Sequence, residues 1–154
     1  MPRTTLIPAV FAGSVLVAVR LLASPGAAGE VPAGAAVNVL ERLQVPLGED
    51  VPVSVETLSG SPGVSVQLVR VRDEVRPHLH ERHAETVYIL RGRGAFTLGD
   101  RVIEAGPGDV FVVPPGTVHA FRVTGEGPAA ALTTFSPGYD GEDRVYVETP
   151  GPQN

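Results

Sequence analysis

His78-Leu79-His80-Glu81-Arg82-His83-Ala84-Glu85 decides how this chain is read, because it gathers three of the four histidines and two carboxylates into eight residues. His78 and His80 are two apart, so on a β-strand both rings leave the same face. Residues 81–84 supply a turn, after which Glu85 is expected to re-enter on the neighbouring strand close to the same point. The fourth histidine, His119, closes a second box that runs from Gly108 through Pro114-Pro115-Gly116-Thr117-Val118. There the prolines limit φ and Gly116 permits a positive φ, a turn that would bring His119 in from a different strand. Two histidines on one strand, a glutamate beside them and a histidine opposite make a four-ligand set: His78, His80, Glu85 and His119. Neutral imidazole nitrogens and a carboxylate oxygen suit one divalent transition metal, and an octahedral ion would keep two adjacent positions open.

Strand parity sorts the surrounding residues. Phe121 shares parity with His119 and is expected to face inward near the metal, with Phe96 as a second apolar wall. Gln67, Arg70, Arg91 and Thr97 are candidates for polar lining, whereas Tyr88 alternates away from Glu85 and is expected outside. His83, beside Glu81 and Arg82, is read as a solvated turn residue and a bystander. Arginines at strand ends are read as solvated or ion-paired, with no role toward a substrate anion. The acidic run 136–144 lacks the ordered oxygen spacing of a calcium loop and is read as a surface turn.

Outside the two boxes the chain consists of short alternating runs punctuated by turn residues. Val51, Val53 and Val55 recur with period two, and after the Ser59-Gly60-Ser61-Pro62-Gly63 turn the run 64–71 alternates again. Residues 86–90 and 95–98 flank Arg91-Gly92-Arg93-Gly94, whose glycines suggest a hairpin. Further strands are expected over 101–103, 109–113, 118–123, 129–135 and 145–148. The apolar run 109–113 reads as buried on both faces. About ten strands at this spacing, with no convincing helix beyond the N-terminal segment, indicate an all-β domain of the sandwich or barrel type.

The chain of 154 residues carries 18 glycines and 15 prolines, in keeping with many turns and a single domain. Its net charge of −5 offers no electrostatic footprint for nucleic acid, and no nucleic-acid partner is expected. All 12 basic residues are arginine, so lysine Schiff-base chemistry is excluded. There is no cysteine, hence no disulfide, thiol nucleophile or thiolate ligand.

The N-terminus has the layout of a secretory signal: Arg3, an apolar stretch over 6–19, and a small-residue segment ending near Ala28. The apolar run is shorter than the ~20 residues that span a bilayer and is followed by Arg20. The expected organisation is therefore a signal peptide with an apolar helix over 1–28, a linker over 29–36, a β-barrel domain over 37–149 and a tail over 150–154. A secreted or periplasmic location follows, with no stable membrane partner after cleavage; the alternative is an N-terminal membrane anchor.

At the two histidine boxes the sequence resembles the cupin superfamily, whose motifs are written G-x5-H-x-H-x3,4-E-x6-G and G-x5-P-x-G-x2-H-x3-N. His78, His80, Glu85 and Gly92 match the first, and Gly108, Pro114, Gly116 and His119 match the second. Arg72 stands where the first glycine would be, and Val123 where the final asparagine would be. The resemblance covers about 51–123. It implies a single jelly-roll β-barrel, the same four residues as metal ligands, and frequently a homodimer. Mn, Fe, Co, Ni, Cu or Zn would all suit the ligand set. Two functions remain open at this point. One is a metal-dependent enzyme, dioxygenase- or decarboxylase-like, acting on a small oxygen-ligating substrate with Glu85 as its base. The other is a non-catalytic module that binds a small ligand or the metal itself.

Overall fold

The computed structural model describes residues 36–148. The expected signal peptide 1–28, all but the last residue of the linker, and the tail 150–154 lie outside the described residues, as does residue 149.

Ten strands form the domain: β1 (Val53–Gly60), β2 (Ser65–Val71), β3 (Glu74–His80), β4 (Ala84–Arg91), β5 (Gly94–Leu98), β6 (Arg101–Ala105), β7 (Val110–Val113), β8 (His119–Val123), β9 (Ala129–Ser136) and β10 (Arg144–Tyr146). They make two five-stranded antiparallel sheets, ordered β1-β2-β9-β4-β7 and β10-β3-β8-β5-β6. From β2 onward the chain changes sheet at every connection except the β5–β6 hairpin. This winding is a jelly-roll, or double-stranded β-helix, and it places the inner faces of both sheets around one interior. The all-β expectation and most strand positions agree with this architecture.

The interior is filled by Val71, Val87, Ile89, Phe96, Ala105, Phe111, Val113, Phe121 and Ala129. Phe96 from one sheet stacks on Phe111 from the other, with centroids 4.0 Å apart. A second cluster (Leu43, Leu58, Leu68 and Ala130) lies on the outer face of the first sheet, under the N-terminal segment. Fully burying Leu68, which has no exposed surface, contributes about 1.5–3 kcal/mol. That covering segment contains a short helix, α1 (Val39–Arg42), capped by the Asn38 side chain, which accepts from the Leu40 and Glu41 amides. A helix of four residues has no 3.6-residue periodicity to detect, which is why a chain without helix was expected here.

Three arginines clasp the segment by its carbonyls. Arg70 donates to Val45, Arg72 to Leu47 and Gly48, and Arg91 to Leu43. Arg72, the departure from the first motif, thus ties down the strap over the outer face. Arg70 and Arg91 are on this outside face and not in the barrel lining.

Two other expectations change. The run 109–113 is not buried on both faces: β7 is a sheet edge, Phe111 and Val113 point inward, and Val110 and Val112 are 55% and 61% exposed. Arg91-Gly92-Arg93-Gly94 is not a hairpin, because it carries the chain from β4 in one sheet to β5 in the other. The glycines are needed there for close approach. Gly92 has φ +82°, and a Cβ on it would lie 2.6 Å from the Ala129 Cα; one on Gly94 would lie 2.3 Å from the Phe121 ring.

Candidate metal centre

His78 and His80 come from β3, and His119 begins β8, the strand hydrogen-bonded to β3 with His78 and His119 directly opposed. Glu85 is on β4, in the facing sheet. The sequence reading had these the other way round, with the glutamate beside the pair and His119 opposite. The connection 81–83 crosses between sheets instead of turning back within one. The four residues still meet: all are buried, and their ligand atoms lie within 4.8 Å of one another. His119 Nε2 is 2.8 Å and His80 Nε2 3.7 Å from Glu85 Oε2.

The backbone sets the direction of each ring. Nδ1 of His78 faces the Arg76 carbonyl at 2.8 Å, Nδ1 of His119 the Thr117 carbonyl at 3.0 Å, and Nδ1 of His80 the Asp143 carbonyl at 3.1 Å. A carbonyl can only accept, so Nδ1 carries the proton in all three rings; the Nε2 of neutral His78 and His80 presents a lone pair, and that of His119 lies in hydrogen-bond contact with Glu85 Oε2. Burial, aided by the neighbouring His119, lowers the His78 pKa to about 4. Burial also lowers that of His80, against the opposing pull of the Glu85 carboxylate. Three imidazole Nε2 atoms and a carboxylate therefore converge in a buried site. His80 Nε2 is buried with no hydrogen-bond partner. Such a set of acceptors is satisfied by a cation, and each orienting hydrogen bond is of the kind that fixes imidazole ligands around metals. The residues fit a divalent metal.

The turn of the second box behaves as its sequence suggests: Gly116 has φ +76°, and its amide donates to the His80 carbonyl at 2.7 Å. This bond adds to the β3–β8 pairing in tying the two boxes together. Gln67, Phe96 and Phe121 line the cavity beside the cluster, as expected. Thr97 does not, since it is one residue out of phase with Phe96. Tyr88 is 40% exposed on the outside.

His83 is not solvated. It is 3% exposed, packed near Phe135 and Tyr139, and its Nδ1 is paired with the Asp143 carboxylate. That carboxylate also accepts from the backbone amides of Glu81, Arg82 and His83. Burial raises the Asp143 pKa, but the hydrogen bonds from His83 and the Arg82 amide outweigh it and hold the group well below the usual carboxylate range. Asp143 thus grips the β3–β4 connection with its side chain while its carbonyl orients His80. The run 136–144 is consequently more than a surface turn. Spacing gave no signal for this, because Asp140, Glu142 and Asp143 are alike in composition and only the fold selects one of them.

These features define a class, a two-sheet barrel with a buried histidine–carboxylate cluster able to hold a metal. A Cupin domain family model matches residues 65–135. An uncharacterized protein of Aquifex aeolicus is 36% identical over 96 residues, covering 62% of this chain and 78% of that one. This chain belongs to the cupin superfamily. More distant similarity links it to a gentisate 1,2-dioxygenase from a Haloferax species, 31% identical over 72 residues (47% of this chain), and to the quercetin 2,3-dioxygenase of Bacillus subtilis, 39% identical over 51 residues (33% of this chain). The matches span only 20% and 15% of those two enzymes. Among solved structures, a Klebsiella pneumoniae protein with a double-stranded β-helix domain is similar in fold, with TM-score 0.60 and 18% identity over 69% of this chain and 93% of that one.

Proposed function

We propose that this chain is an exported metal-dependent enzyme acting on a small oxygen-ligating substrate, with dioxygenase or decarboxylase chemistry. The observation that carries the metal half is the buried, cation-seeking set His78, His80, Glu85 and His119. When bound, a transition metal supplies Lewis-acid polarisation of substrate oxygens and, if redox-active, electron transfer. The histidines would hold it through Nε2. Phe96, Phe121 and Phe135 make the adjoining cavity apolar, which strengthens every charge interaction within it. Glu85 is the only carboxylate lining that cavity among the described residues, so it is the group we assign to accept a substrate proton, at Oε2. The distant dioxygenase relatives support the oxygen-ligating substrate class.

A second reading, a non-catalytic ligand- or metal-binding module, draws on one observation. Apart from the cluster itself, Arg144 is the only titratable group lining the cavity among the described residues. Elemental analysis of natively purified protein, followed by oxygen-uptake and decarboxylation assays over a panel of acids and phenols, separates the two. Turnover with any member supports the enzyme; tight binding without turnover under every metal refutes it. Export rests on residues 1–28, and N-terminal sequencing tests it: an intact Met1 on membrane-bound material rules out cleavage. Homodimer formation is read from light scattering.

A further inference from the structure

The cavity beside the metal cluster is small, about 70 Å³, room for roughly five waters or a fragment of a few heavy atoms. It meets a much larger open groove, about 880 Å³, at three residues that line both: Val53, Val75 and Arg144. Arg144 is paired in register with His80 on the adjacent strand and therefore projects from the same face of the sheet.

Its environment differs from that of six other arginines. Arg42, Arg82 and Arg122 have carboxylate partners, and Arg70, Arg72 and Arg91 are engaged by backbone carbonyls. No carboxylate is paired with Arg144 among the described residues. Its Nε is buried without a hydrogen-bond partner, as are those of Arg70 and Arg72; its guanidinium is hydrogen-bonded to the Tyr146 hydroxyl, and Arg76 lies 4.5 Å over the same ring. The groove is lined by Arg72, Arg76, Arg122 and Arg144 against Asp73 and Glu74, so it is locally cationic in a chain of net charge −5. Focused positive potential at the entrance of a low-dielectric cavity attracts anions of matching size.

We infer that Arg144, flanked by Tyr146 and Arg76, is the anion subsite of this centre, and that the substrate is a small 2-hydroxy or 2-oxo carboxylate. The carboxylate is held at the mouth by the guanidinium, while the oxygen at C2 points inward to the metal cluster. At the far wall, Thr133 Oγ1 is buried without a partner and sits opposite Gln67 in register, so a substrate hydroxyl or carbonyl has a polar contact there. This inference rests on the metal-site reading for the inward end of the ligand, but the Arg144 contact stands apart from it.

The test is calorimetric titration of the full chain, zinc-loaded and zinc-free, with glycolate, lactate and pyruvate, each set against its neutral amide. The expected result is a preference for acid over amide of about tenfold or more, as charge-assisted hydrogen bonds provide. Arg144→Gln should abolish that preference while leaving zinc stoichiometry unchanged, and Arg144→Lys should restore part of it. An Arg144→Gln protein that keeps its zinc and its full preference overturns the inference, as does a wild-type protein that prefers no acid of the panel over its amide. Zinc stoichiometry reports on the metal site alone. If wild type takes up neither zinc nor Mn, Fe, Co, Ni or Cu, the metal reading fails, and the acid-over-amide comparison in the metal-free protein still decides the role of Arg144.

Discussion

Replacing Asp143 with alanine should damage both stability and metal binding, and the size of each loss follows from its contacts. The carboxylate accepts from the Glu81 amide at 3.2 Å, the Arg82 amide at 2.9 Å, the His83 amide at 3.2 Å and the His83 ring. Hydrogen bonds to a charged group are each worth about 1.5–3 kcal/mol. The Glu81 and Arg82 amides are at the rim and regain water, whereas the His83 amide and ring stay buried and unpaired. Counting chiefly those two gives a loss of about 3–6 kcal/mol, overlapping the usual cost of about 3–5 kcal/mol for removing one partner of a buried pair. Small domains have only about 5–15 kcal/mol in total, so the variant should fold but with a much lower midpoint in urea unfolding followed by far-ultraviolet circular dichroism. Because the side chain anchors the backbone whose carbonyl at 143 orients His80, metal affinity measured by competition with a chelator should fall about 10- to 100-fold. In a cycle with His83→Ala, the double variant should cost at least about 1 kcal/mol less than the two singles together. A stability within about 1 kcal/mol of wild type, or strict additivity in the cycle, would refute the argument that this pair grips the β3–β4 connection.

Replacement of His80 or His119 by alanine should abolish stoichiometric metal in elemental analysis; full occupancy in either variant rules out the ligand set. Gly94→Ala puts a Cβ against the Phe121 ring and the Arg122 carbonyl, so thermal unfolding should show a loss of about 1–3 kcal/mol, and an unchanged midpoint would mean the crossing is looser than described. Arg72→Ala releases the Leu47 and Gly48 carbonyls; a loss of about 1–2 kcal/mol and faster limited proteolysis within 36–48 are expected, and no change in cleavage there would argue against a strap.

Much of the site was legible because its information is local. The interval between His78 and His80 specifies one face, and Pro114-Pro115-Gly116 specifies a turn whose φ is observed. Strand partnership was not legible, since which strand lies beside β3 depends on contacts forty residues away and on the sheet-changing winding. Hence the four residues of the cluster were named while Glu85 and His119 exchanged places. The alternation in β7 was hidden because Val110 and Val112 are as apolar as the buried Phe111 and Val113, and only the edge position separates them. His83 and Asp143 are sixty residues apart and carry no pattern until the chain brings them together.

The Arg76 and Thr117 contributions to the rings are main-chain oxygens. Any amino acid that keeps the local backbone can supply them, so these two positions are free to vary without redirecting His78 or His119. The mouth and walls of the barrel can therefore drift while the geometry of the four-residue cluster stays the same. Such a division lets one scaffold be retargeted by changes at its entrance, and it gives an engineer a set of positions to randomise at little risk to the centre.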